Sequence, residues 1–181
     1  MDTMSQSIEA IRARYRPERI GTLLVGESAP ASGRFFYSDD ETAFARHIRR
    51  AMQAAGLLPD AIGHREFLDH FKSCGWYLDD LVLEPVDDWK KPERKAAWRA
   101  ARASLATRLR EYQPRAIVAL LMCIEVVVQQ AADEARSDAS CSPRRSPATG
   151  IISNSASGWR SSFHSFQRWT AHDPHRHHTR R

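Results

Sequence analysis

The sequence predicts an α/β fold, a three-layer sandwich with a short parallel sheet flanked by helices. Three observations carry this expectation. Apolar runs of strand length recur at residues 20–25, 78–83 and 116–121. Segments of helical periodicity separate them, and Gly, Pro or an acid stands at the junctions, where one element ends or the next is capped. Strands joined by helical crossovers of this length pair in parallel and are covered on both faces. The 181 residues, 42% of them hydrophobic, suffice for one domain with a core, or a domain plus a tail.

Taken in order, residues 5–16 form a short helix with Ile8, Ile11 and Tyr15 on one face, ended before Pro17. Ile20 to Val25 is a buried strand that runs into Gly26 and Glu27. Asp39 or Asp40 caps a helix whose apolar stripe is Phe44, Ile48, Met52 and Ala55, stopped by Gly56 and Pro59. A short helix over 65–73 follows, with Phe67, Leu68 and Phe71 apolar, and then a second strand, Leu78 to Leu83. Pro92 opens a long helix with Trp98, Ala101, Leu105, Leu109 and Tyr112 at helical spacing, halted by Pro114. The third strand is Ala116 to Leu121 and the last helix covers 123–134. Three strands are evident; an expected fourth is missing or scrambled, Ile151-Ile152 being the only strand-like run beyond 134.

Composition changes near residue 136. Residues 1–136 balance 20 Lys+Arg against 20 Asp+Glu, whereas residues 137–181 carry seven Arg against two Asp and supply the whole net charge of +5. The body is therefore neutral, and net charge alone gives no argument for nucleic acid. The last 45 residues hold ten Ser and five of the eight His, and lack Leu, Val, Lys, Glu, Met and Tyr. Such a segment buries too little surface to offset its ordering entropy, so 137–181 is expected to be a disordered tail after a domain over 1–136. The three His among residues 175–178 lack the fixed geometry of a metal site, and no metal or cofactor is expected. Cys74, Cys123 and Cys141 are widely spaced and odd in number, which excludes a disulfide framework. Cys74 and Cys123 are expected to be inert, buried hydrophobes. No run approaches the roughly 18 apolar residues of a membrane span, and Met1 to Met4 lacks the start of a signal peptide, so a cytoplasmic monomer is expected.

Ligands of open parallel sheets bind beyond the carboxyl ends of the strands. That directs attention to residues 26–37 and 84–89. The first loop holds Gly26, Glu27, Ser28, Pro30, Ser32, Gly33, Arg34, Phe35, Phe36 and Tyr37. Its Gly spacing is neither that of a Walker loop nor that of a dinucleotide fingerprint. The three aromatics suit either a core filling or a ligand platform. Glu27, one residue beyond a strand, needs a partner if it is buried. Asp79, Asp80, Glu84, Asp87 and Asp88 surround the second strand, most of them expected to be solvated or capping.

The Gly26-Glu27-Ser28-Ala29-Pro30 turn followed by Gly33-Arg34-Phe35-Phe36-Tyr37 resembles an uncharacterised bacterial branch of the uracil-DNA glycosylase-like superfamily. Tyr77 to Pro85 is similar to that superfamily's strand bearing a base-reading Asn before a Pro, and Pro92 to Leu120 to its long helix and following strand. Together these cover residues 17 to about 134. The resemblance implies excision of a damaged base from DNA: a flipped base stacked on an aromatic ring, read along its edge, and released through an oxocarbenium-like state. By position it implies Glu27 as the catalytic carboxylate. It implies Phe35, Phe36 or Tyr37 as the stacking ring, and Asp80 at the Asn position. An ionised Asp only accepts hydrogen bonds, unlike Asn, so uracil itself is not implied. The superfamily's later His-containing loop would fall in the tail, where His164 lacks a preceding strand. Read in a shifted frame with suitable third bases, the codons for Arg144 to Arg160 yield Pro-Phe-Pro-Gly-His-Gly-His, much like that loop. The tail is therefore expected to be out-of-frame translation and the activity impaired. A nucleotide- or nucleic-acid-binding module, or a truncated product without function, are the competing expectations.

Overall fold

The computed structural model describes residues 3–139 and 150–152, with side chains over 8–137. The expectations for His164, the His run at 175–178, Cys141, the shifted frame and the disordered tail concern residues outside these, apart from Gly150–Ile152.

Helix α1 (Thr3–Arg14) precedes β1 (Thr22–Gly26). Helices α2 (Ala43–Ala54) and α3 (His64–Ser73) lead to β2 (Trp76–Asp80), and α4 (Lys91–Tyr112) to β3 (Ala116–Ala119). Helix α5 (Glu125–Ala139) follows, and β4 (Gly150–Ile152) closes the sheet. All pairings are parallel and the order is β2-β1-β3-β4. The α/β expectation holds: helices flank a short parallel sheet. A fourth strand, expected to be missing or scrambled, is present as the three residues Gly150–Ile152, paired with β3.

The boundaries differ from the sequence reading in instructive places. β2 begins at Trp76 and ends at Asp80, so the apolar Leu81 and Val82 bury themselves in the following loop instead of the sheet. The α2 cap is Thr42, whose hydroxyl accepts from the Ala45 N–H at 3.2 Å, and not Asp39 or Asp40. Helix α2 turns Ala45, Ile48 and Met52 inward and leaves Phe44 exposed. Helix α5 continues to Ala139, past the composition break at 136.

β1 lies in the middle of the sheet and every residue of it is buried, which explains its unbroken apolar character. The core gathers Leu23, Val25, Phe67, Phe71, Leu105, Ile117 and Val128 around it. Helix α4 packs on α5, and Arg102 bridges to Glu134 at 3.1 Å. β1 and β2 align Gly26 with Asp80, so the chain's two loop entries of interest start from neighbouring strand ends. From β1 the chain steps to β2 on one side and later to β3 on the other. A sheet that changes direction in this way opens a crevice at the strands' carboxyl ends.

Candidate functional site

The ladder continues past the strand ends and stitches the two loops together. Leu81 N–H donates to the Gly26 carbonyl and Val82 N–H to the Glu27 carbonyl, each at 2.9 Å. Ser28 Oγ accepts from Val86 N–H at 3.3 Å, and Asp87 Oδ1 from Ala31 N–H at 3.0 Å. Pro30 and Gly33 make a tight turn, Gly33 N–H donating to the Pro30 carbonyl at 2.9 Å. Gly33 has φ +73°, a region that favours glycine. Ser32 Oγ accepts weakly from Arg34 N–H at 3.4 Å, and the Arg34 side chain is exposed.

Glu27 is held by α4. Arg94 forks onto it, with Nε 2.8 Å from Oε1 and Nη2 on Oε2, and Trp98 Nε1–H donates to Oε1 at 2.8 Å. A carboxylate has about four acceptor positions. Three are used, which leaves one on Oε2 to orient a water or take a ligand's proton. The partner that burial demanded is thus a guanidinium from a helix some 67 residues away in sequence. Charge-assisted forks of this kind are among the stronger hydrogen bonds.

Asp80 is placed by glycine. A Cβ on Gly26 would stand 2.3 Å from Asp80 Oδ1, so only glycine leaves the carboxylate this position over the end of β1. Its Oδ2 accepts from Arg12 Nη2 at 2.6 Å. Next to it Asp79, also buried, pairs with Arg108 and takes Asp80 N–H on Oδ1 at 2.8 Å. Arg108 Nη2 also donates to the Asp80 and Leu81 carbonyls at 2.9 and 3.2 Å. Two acids and two arginines therefore tie α1 and α4 to the end of β2. Burial pushes the Asp80 pKa up to about 7, Arg12 pulling it down and Asp79 raising it further. The expectation of solvated acids fails for this pair, while Glu84, Asp87 and Asp88 are exposed.

Phe35, Phe36 and Tyr37 are 4, 2 and 1% exposed, so in this structure all three fill the core. Tyr37 is the hub, stacked on Tyr15 at 5.1 Å and met edge-on by Phe36 at 4.8 Å. Its Oη accepts from Leu78 N–H at 2.7 Å, and burial raises the phenol's pKa so that it stays neutral. Phe36 turns toward Phe67 and Phe71. Phe35 faces the Arg12 guanidinium, 5.9 Å from its centroid. Phe35 and Asp80 are thus joined through Arg12, and Tyr37 lies within electrostatic reach of Arg12 and Asp79.

Sequence reasoning missed Arg12, Arg94, Trp98 and Arg108, each on a helix and each distant in sequence from its acid. Trp98 was assigned to the apolar stripe, and its indole body is indeed buried while its N–H points at Glu27. The expectation of buried cysteines is overturned. Cys74 and Cys123 are both exposed, Cys74 at the end of α3 beside His70 at 3.3 Å and Cys123 in the turn between β3 and α5. Among the described residues no group of His, Cys, Asp and Glu could hold a metal ion, and no helix is long and apolar enough to cross a membrane. No protein-family model matches the chain, and no curated protein matches it.

Proposed function

We propose that the chain is a uracil-DNA glycosylase-like domain that engages a base of DNA at the carboxyl end of its sheet, with turnover impaired in the chain as it stands. The observation that carries the reading is the pairing of Gly26 with Asp80. It brings the Gly-Glu-Ser turn and the acid at the Asn position of the resemblance to one mouth. Cations suited to phosphate flank that mouth: exposed Arg34 on the first loop, and exposed Lys90, Lys91 and Lys95 around the first turn of α4, whose Arg94 reaches Glu27.

One feature supports impairment. Glu27 has one acceptor position left, so orienting water and offsetting sugar charge compete with its fork to Arg94. Binding without excision is therefore the expected behaviour. Purified protein incubated with uracil-, hypoxanthine- and xanthine-containing oligonucleotides tests it. Salt-dependent retention with intact strands after alkaline treatment supports the reading. Absence of binding at low salt counts against it, and efficient base release counts against the impairment.

A further inference from the structure

Arg12 is 1% exposed, at the heart of the mouth, and belongs to neither the sheet nor the loops that form it. Its Nη2 donates to Asp80 Oδ2 at 2.6 Å, while Nη1 stands 3.5 Å from Asp79 Oδ1 and pairs with Glu9 on its own helix. The Phe35 ring lies against the same guanidinium. The N–C–N end of this planar group thus faces two adjacent carboxylates, hydrogen-bonded to Asp80 and within ion-pair reach of Asp79, and rests beside an aromatic ring. The fit is incomplete, because Arg12 Nε is buried with no hydrogen-bond partner. A buried donor left unmade is costly. A planar heterocycle with two donors at one end and no N–H at the Nε position would keep the paired geometry without that orphan donor, while Arg108 still balances Asp79.

Guanine has such an edge: N1–H and the exocyclic N2–H₂ form an N–C–N donor pair like that of guanidinium. Uracil does not, since its N3–H lies between two carbonyl oxygens that would face the two carboxylates. An exit for the arginine exists as well. Glu9, with a side chain 47% exposed, already holds Nη1, so a guanidinium swinging outward keeps one ion pair. We propose that Phe35, Asp79 and Asp80 form a receptor for a guanine-type donor edge, and that Arg12 fills it in the free protein as an intramolecular stand-in. This rests on the base-binding reading above and names its substrate class.

Fluorescence anisotropy of the full chain with two single-stranded oligonucleotides, differing only in one central guanine or uracil, tests the proposal. Arg12→Ala vacates the receptor, and Arg12→Lys withdraws the planar fork but retains the charge, which guards against misfolding of the alanine variant. The folded variants are expected to bind the guanine strand roughly tenfold or more tightly than the wild type does, and to prefer it over the uracil strand. Adding Asp80→Asn to Arg12→Lys is expected to remove that preference. Variants that bind both strands equally, or uracil better, overturn the donor-edge assignment and leave base binding standing. Failure of the wild type and every variant to bind either strand overturns both.

Discussion

Glu27 and Asp80 leave neighbouring strands at the same end of the sheet, and their side chains are 11 and 6% exposed. Their partners are far less alike. Arg94, which holds Glu27, is 32% exposed on a surface helix, whereas Arg12 and Arg108, which hold the Asp79–Asp80 pair, are 2 and 14% exposed. An acid whose partner reaches water can exchange that partner for a ligand or a water at small cost. An acid whose partner is sealed in with it gives that partner up only if another donor takes its place, because a bare charge would otherwise be left inside. The lability of a strand-end carboxylate is thus set by its partner's access to solvent more than by its own.

The largest effect expected from this contrast is that of Arg108→Ala, which leaves buried Asp79 only Arg12 Nη1, at 3.5 Å, as a cation. A loss of about 3–5 kcal/mol in denaturant unfolding is the scale for breaking a buried pair from one side. Arg94→Ala, the corresponding change at Glu27, is expected to cost about 1 kcal/mol. Equal losses would break the comparison.

The second effect is a dependence on pH. Asp80 in the folded protein titrates at about 7, above its ordinary 3.8, so the native state holds the proton more tightly than the unfolded chain. Its contribution to stability is complete below about pH 4 and is lost as pH rises to 7, a change on the order of a few kcal/mol. Arg12 and Glu9 of α1, Asp79 of β2, and Arg108 of α4 all act on this carboxyl. Other groups have the opposite sign: Glu41, lowered by Arg46 and Arg49 against its own desolvation, loses its contribution as pH falls. The informative quantity is therefore the difference between wild type and Asp80→Asn across this window, which should slope for Asp80 and vanish if the carboxyl titrates normally.

Glu27→Gln sharpens the other half of the contrast. The amide keeps the shape but loses the charge that Arg94 forks onto, so a decrease of about 1 kcal/mol is expected, with no change in fold by circular dichroism. The smallest effects belong to the cysteines. Cys74→Ser and Cys123→Ser should alter stability by no more than about 0.5 kcal/mol, as surface substitutions do. Both thiols of the native protein should label readily.

What the sequence revealed and what it hid divide along the same line. β1 was legible because a central strand covered on both faces must be apolar from end to end. β2 was displaced toward its C-terminus because Leu81, Val82 and Leu83 are apolar and read as strand, although Leu81 and Val82 are buried in the loop that follows. Arg12 lies 68 residues from Asp80, Arg108 lies 29 from Asp79, and Trp98 lies 71 from Glu27. Local periodicity carries no trace of such pairings. The mouth's loops could be located from strand ends alone, but the division of Phe35, Phe36 and Tyr37 between mouth and core depends on tertiary packing. The exposed turn that carries Cys123 follows an apolar run, and the run suggested burial that the backbone's path denies.

The claim that both acids belong to one ligand site is tested most directly by amide and indole chemical shifts. A single-stranded oligonucleotide containing one uracil and one guanine would be titrated into the ¹⁵N-labelled full chain. The account predicts that the responsive signals cluster at Gly26, Glu27, Asp80 and Leu81, together with the Trp98 indole N–H that Glu27 holds. Shifts confined to other surfaces, such as the shallow pocket among Tyr15, Asp39, His64, Arg65 and Leu68, would contradict it, as would a spectrum unchanged at high oligonucleotide concentration and low salt.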